Sequence, residues 1–385
     1  MLGPMRIGIN ANYFQKPSTG IGVVTIEFMR ALAIAPEGRM HEWIWYYEGE
    51  VPAGKWPENW RFKNVSTWWS RDDVPHRYLW ERFSVRRAAL RDRCDVFFSL
   101  YQSATVFPES VRHVMLVHDL VPKRFPEYLK NARQRFHYHS IIAGIQNANR
   151  LLTPSRATKL DLQDLLGIPR AKVAVAPLGI GHTFQETIAL PVRDSILNRF
   201  GLRPGYLYHG GGLELRKNTA LLLRAYAKVV HSSESALLPP LVISGTLHAE
   251  ENPLATPVRT LVKELDIVER VHLLGWVPDA DLPALYQGAL AFIYPSRYEG
   301  FGLPVLEAFA SGTPVISTAA GSLAELVGDA ALIITPDDSD GLADALLSIS
   351  TDQALRDRLR EQGSVRAAGY DWSRFTTSVA SSLLQ

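Results

Sequence analysis

Short apolar runs recur along the chain, and stretches with helical spacing separate them. In the first half these runs predict strands at Arg6 to Asn10, Trp43 to Tyr47, Asp95 to Leu100, His113 to His118, Arg150 to Thr153 and Val173 to Ala176. The pattern breaks at Ala176-Pro177-Leu178-Gly179, and polar, irregular sequence follows to about Arg203. Strands then recur at Tyr206 to Tyr208, Leu241 to Ser244, Val271 to Leu274, Leu290 to Tyr294, Pro314 to Ser317 and Leu332 to Ile334. Alternation of strand and helix argues for parallel sheets built from βαβ units. The fold class is therefore α/β, with two doubly wound domains, residues 1–190 and 200–368, joined near residues 178–203. Such sheets bind ligands at the carboxyl ends of their strands. A last segment, Asp371 to Leu384, has helical spacing, with Trp372 and Phe375 as anchors.

The most informative stretch is YPSRYEGFGLPVLEAFASGTPVIST, residues 294–318. A strand runs into a loop holding Glu299, Gly300 and Gly302, and Pro304 is placed to open a helix carrying Glu307. Proline suits a first helical turn because the N–H it lacks would be unpaired there. The glycines let a ligand approach the backbone, and the helix start offers N–H groups and a positive dipole end to an anion. Two carboxylates beside an anion seat point to a ligand with both phosphate and hydroxyl groups, such as a nucleotide sugar. A helix-favouring role accounts for Glu307 but not for Glu299 or the glycines between them.

Upstream, YLYHGGGLELRKN (residues 206–218) leads into the helical TALLLRAYAKVV. A glycine-rich turn that includes Gly212, followed by Arg216 and Lys217, suits a diphosphate. Cations at a helix start oppose its dipole, so these need a further reason to be there. His118 ends the apolar run VMLVHD, where a side chain enters the mouth of a parallel sheet; taken alone it fits a structural histidine or a functional one, with Asp119 placed to orient its ring. Gly20 and Gly22 lie between the first strand and first helix; the loop lacks the third glycine of a dinucleotide fingerprint and is too long for one. Asp279 and Asp281 form D-x-D in GWVPDADL, but they precede a helix at Leu282 to Gln287, where Asp is a good cap. No other His, Asp or Glu cluster has ligand spacing, so no metal site is expected.

Composition bounds the reading without sharpening it. At 385 residues the chain is too long for one core. It is 46% hydrophobic and 21% charged, as in ordinary soluble proteins, and its net charge of +2 gives no reason to expect nucleic-acid binding. Cys94 is the only cysteine, which excludes an intrachain disulfide. No apolar run reaches the ~18 residues of a membrane span, so a cytoplasmic location is the simplest expectation. Charge is concentrated at residues 77–93, where six arginines (77, 82, 86, 87, 91, 93) interleave with Tyr78, Trp80 and Phe83. This segment fits either a solvated helix packed through its aromatics or a peripheral contact with an anionic membrane. Oligomeric state is not legible.

Glu299 and Glu307 enclose seven residues in EGFGLPVLEAFASGTPVI, and this string resembles the E-x7-E region of retaining glycosyltransferases of family 4, which have the GT-B fold. The resemblance runs over about residues 5–380. It is strongest over 206–225 and 290–327, and weakest over 40–110. HDLVPKRFPE (residues 118–127) and the adjacent Arg216-Lys217-Asn218 are similar to a mannosyltransferase-like branch. The family often has an arginine where this chain has Gly212. The resemblance implies an N-terminal Rossmann-like acceptor domain, to which the C-terminal helix (371–385) returns, and a donor domain. It implies metal-independent transfer of a hexose, with retention, from a nucleotide sugar to a saccharide or lipid-linked acceptor. GDP-mannose is the favoured donor, while other GDP-, dTDP- and UDP-sugars stay open. By the same resemblance Arg216 and Lys217 hold the diphosphate, Gly20 and Gly22 lie near it, and Gly300, Phe301, Gly302 and Leu303 offer backbone contacts. Glu307 takes the ribose, Trp276 and Val277 lie at the base, and Glu299 and His118 contact the hexose. A sugar-nucleotide epimerase and a catalytically silent sugar-nucleotide binder are the alternatives.

Overall fold

A computed structural model describes residues 3–68, 74–249 and 251–384. The chain divides into two compact units, Met1–Gly179 with Asp371–Gln385, and Ile180–Tyr370.

The first unit is built on a seven-stranded sheet: β1 (Arg6–Asn10), β2 (Glu42–Tyr47), β3 (Trp60–Asn64), β4 (Val96–Ser99), β5 (Arg112–Leu116), β6 (Arg150–Thr153) and β7 (Val173–Val175). All neighbours pair parallel, in the order β3-β2-β1-β4-β5-β6-β7. The second unit has six: β8 (Tyr206–His209), β9 (Leu241–Ser244), β10 (Val271–Gly275), β11 (Ala289–Tyr294), β12 (Val315–Thr318) and β13 (Ala331–Ile334), also parallel, in the order β10-β9-β8-β11-β12-β13. Central strands such as β8, β9 and β12 are buried at every position. Helices cover both faces of parallel sheets, so such strands are continuously apolar rather than alternating. Leu207, Ile243, Ile293 and Ile316 form the middle of the second core, each fully buried. Each contributes roughly 1.5–3 kcal/mol by leaving water.

In both sheets the order reverses beside the first strand of the unit, between β1 and β4 and between β8 and β11. At such a reversal the following loops diverge to opposite faces and leave a crevice at the strands' carboxyl ends.

Several expectations need correction. The edge strand β3 was not foreseen. The segment expected to link the domains carries helices at His182–Gln185 and Leu190–Arg199 and belongs to the second unit. The basic stretch is not one regular helix: Val74–Leu79 and Val85–Arg91 flank a π-helical turn at Trp80–Ser84. Trp80 is fully buried within a core cluster of the first unit and donates to the Val65 carbonyl. Asp281 caps nothing with its side chain and instead pairs with Arg199 at 2.6 Å.

The helix Trp372–Leu384 belongs to the first unit. Its buried Phe375, Val379 and Leu383 form one stripe, and Phe375 meets Phe28 edge-on at 5.9 Å. Arg112 donates to the Ser382 carbonyl at 3.0 Å.

Candidate active site

The crevice at β8 and β11 gathers residues far apart in sequence. After β8 a 3-10 turn, Leu215–Lys217, ends at Asn218, which sits in the left-handed region at φ +60°. Asparagine tolerates this conformation. Its side-chain amide ties the turn to the carbonyls of Pro295 (3.2 Å) and Pro336 (2.7 Å). The turn delivers Arg216 and Lys217 to one carboxylate: Arg216 Nη1 is 2.8 Å from Glu299 Oε2, and Lys217 Nζ is 2.9 Å from Oε1. Tyr294, the last residue of β11, and Ser296 also donate to Oε1, at 2.9 and 2.7 Å. Lys217 in turn donates to the Tyr294 hydroxyl.

Glu299 and Lys217 are buried. Burial works to raise the pKa of Glu299, but the charges of Lys217 and Arg216, with hydrogen bonds from Lys217 and Ser296, overcome it and hold the carboxyl at about 2. Burial pulls the Lys217 ammonium below its ordinary value, with Glu299 acting against that pull. Two cations thus meet on Glu299, and the charge of Glu214 also acts on Lys217. Glu299 supplies the reason for cations at this helix start: it neutralises one of them.

The loop continues through Gly300, Phe301 and Gly302 into the helix Leu303–Ala310. The helix begins one residue before the expected Pro304. Gly302 occupies the cap position at φ +106°, where a side chain would be strained, and an added Cβ would lie 2.8 Å from Leu323. No side chain caps this helix, so its start is left to backbone groups. Phe301 is buried against Tyr370, ring centres 5.7 Å apart. Gly212, at φ +108°, lies in the glycine turn after β8.

Glu307, one turn into the helix, accepts from Tyr286 at 2.9 Å. Burial raises its pKa to about 7; the Tyr286 hydrogen bond opposes the rise and the charge of Asp279 adds to it. In the loop after β10, Trp276 is exposed and Val277 buried. Among the described residues, no three His, Cys, Asp or Glu are placed together to hold a metal ion.

The first unit holds the other expected residues. His118 lies two residues beyond β5, not within it. Its ring Nε2 donates to the Leu100 carbonyl at 2.9 Å, so Leu100 rather than Asp119 orients it. The Asp119 carboxylate instead accepts from the Val121 amide. Burial lowers the His118 pKa, opposed by the Leu100 bond and the charge of Asp119. The neutral ring that donates through Nε2 keeps a lone pair on Nδ1. Gly22 is fixed by packing: a Cβ there would lie 2.0 Å from the Lys16 carbonyl oxygen, and its N–H is capped by Thr19 at 3.1 Å. Gly20 opens the same helix with open space beside it.

Arg216, Lys217 and Glu299 therefore come together, with Glu307 one helical turn further along the same βα unit. Tyr294, Ser296 and Asn218 were missed. Tyr294 and Ser296 sat inside the quoted stretch, yet nothing in their spacing shows that they converge on Glu299.

The chain was compared with known families and structures. The family model described as glycosyl transferases group 1 matches residues 199–366, and that of glycosyltransferase family 4 matches residues 19–184. The O-antigen chain mannosyltransferase B of Escherichia coli is 29% identical over 97% of this chain and 98% of its own. Among solved structures, WaaG, a glycosyltransferase involved in lipopolysaccharide biosynthesis, superposes with a TM-score of 0.71 at 18% identity, covering 98% of this chain and 99% of WaaG. HepE of Anabaena, in complex with UDP and glucose, gives 0.72 at 16% identity, covering 99% of each chain. Two parallel α/β sheets, the GT-B likeness and two family models that together span most of the sequence lead to one statement: the chain belongs to the group 1, family 4 glycosyltransferases and is a glycosyltransferase of the GT-B fold.

Proposed function

We propose that the enzyme transfers mannose, with retention, from GDP-mannose to a saccharide or lipid-linked glycan acceptor in glycan biosynthesis. The observation that carries this reading is the Arg216–Glu299–Lys217 cluster, which fixes two cations at the β8/β11 reversal. A diphosphate is an anion that these two cations can hold. Arg216 offers a two-pronged contact and Lys217 a point charge. As the bond from the anomeric carbon to phosphate breaks, charge develops on the leaving oxygen, and these fixed cations stabilise it. The leaving phosphate then takes the proton of the attacking hydroxyl on the same face, so no protein base is needed.

In this reading Glu299 is not a nucleophile. Its carboxylate accepts from hexose hydroxyls and stabilises positive charge at the anomeric carbon. Glu307 takes the ribose hydroxyls, the loop at Trp276 and Val277 borders the base, and backbone groups of Gly300 to Leu303 meet phosphate and sugar. His118 accepts from a substrate hydroxyl through Nδ1. The second unit is the donor domain and the first the acceptor domain. Support for mannose comes from the full-length similarity to a mannosyltransferase. Transfer needs no metal, because the two cations supply the charge.

A thermal-shift screen against nucleotide sugars, followed by product analysis in EDTA, tests this. GDP-mannose should stabilise the protein most, by mass action, and yield an α-mannoside with an acceptor saccharide. An epimer formed without acceptor, stabilisation without any turnover, or strict metal dependence would overturn it.

A further inference from the structure

A cavity of about 460 Å³ lies in the first unit, beside the edge strand β3, and shares no residue with the Glu299 cluster. Its walls are Lys63 and Asn64 from the end of β3, Val65 and Ser66 just after it, and Ser84, Arg87, Ala88, Arg91 and Asp92 from the helix Val85–Arg91 and its flanks. The basic segment from Arg77 to Arg91 divides its charges between the fold and the cavity. Arg77 pairs with buried Glu81 at 2.9 Å, and Arg86 donates to the Val106 carbonyl at 2.8 Å, so these cations serve the fold. Ser84, Arg87 and Arg91 recur at helical spacing on the face that lines the cavity.

The charge inside is unbalanced. Asp92 is satisfied by Lys63 and by the Tyr46 hydroxyl. Among the described residues, Arg87 and Arg91 have no carboxylate partner, although they repel each other one turn apart. Two guanidinium forks with a serine hydroxyl on each wall form a donor set without a free acceptor charge. That chemistry matches the oxygens of a phosphoryl group.

We propose that this cavity is a second anion site, one that binds a phosphoryl group through Arg87 and Arg91, with Ser66 and Ser84 as hydroxyl donors. The proposal does not depend on the donor assignment, because it uses neither its residues nor its unit.

Calorimetric titration of the intact protein with pyrophosphate at low ionic strength tests it. The part of the binding that depends on Arg87 and Arg91 separates this cavity from the β8/β11 site, whose residues are unchanged in every protein tested. Binding should be seen, should weaken with salt, and should fall at least tenfold in an Arg87→Ala/Arg91→Ala variant. A charge-matched Arg259→Ala/Arg358→Ala variant, altering two exposed arginines elsewhere, should bind as the parent does. Both arginines of the cavity are exposed, so an unchanged melting temperature will show that the variant is folded. In a parallel arm, vesicles containing phosphatidylglycerol should bind in the same Arg87- and Arg91-dependent way if the phosphoryl group belongs to a lipid. Vesicle binding without any response to pyrophosphate would overturn the cavity assignment, as would pyrophosphate binding that is equal in all three proteins.

Discussion

Replacing Glu299 by Gln keeps the side chain's shape and removes its charge. The structure sets the size of the effect. The carboxyl is held at about 2, against an ordinary value of 4.5. At about 1.4 kcal/mol per unit, ionised Glu299 stabilises the folded state by roughly 3 kcal/mol. The sign follows from the depressed folded pKa: the stabilisation is complete above about 4.5 and is lost as pH falls towards 2. In the Gln variant Lys217 and Arg216 lose the carboxylate they are paired with, and one-sided removal of a buried pair costs roughly 3–5 kcal/mol. For a unit of this size, ~3 kcal/mol corresponds to a fall in melting temperature of about 6–12 °C. Differential scanning calorimetry at pH 7 should show that fall in the transition of the second unit. The gap between parent and variant should narrow steadily below pH 4.5. Equal melting temperatures at pH 7, or a gap independent of acidification, would refute the reasoning.

Two further outcomes follow from the other titrating groups. Free Glu307 titrates near 7, and it must be ionised to accept from both ribose hydroxyls. GDP affinity should therefore decline as pH drops below about 7, and Glu307→Gln should bind more weakly at pH 8 while losing that pH dependence; a pH-independent parent would contradict its role. His118→Ala should lower kcat/KM by tenfold or more with little change in GDP affinity, since the nucleotide contacts are assigned to the second unit. His118→Asn should recover part of the rate, and full activity in the Ala variant would remove His118 from the site.

Much of the fold was legible because parallel strands are short, apolar and regularly spaced. β3 escaped for a physical reason. It lies at the edge of its sheet, its sequence WRFKN alternates with charge, and most of it is partly or fully exposed. Arg216, Lys217 and Glu299 could be nominated from the chemistry of their motifs. Their direct pairing could not, because it depends on β8 and β11 lying side by side. Tyr294 and Ser296 read as strand end and loop, and Asn218 as the end of a motif; their roles appear only when the loops after β8 and β11 face each other. The basic segment fitted either a solvated helix packed through its aromatics or a membrane contact, and the buried Trp80 agrees with the first. The pairing of Arg77 with buried Glu81 could not be read from the sequence, because it depends on that face turning inward.

In the proposed mechanism the cations beside Glu299 form the diphosphate seat of a nucleotide sugar. Calorimetric titration of GDP-mannose into the parent and into an Arg216→Met/Lys217→Met variant tests it most directly, with circular dichroism to confirm folding. The parent should bind measurably, and the variant should lose at least a hundredfold in affinity. Equal affinity in a folded variant would contradict it.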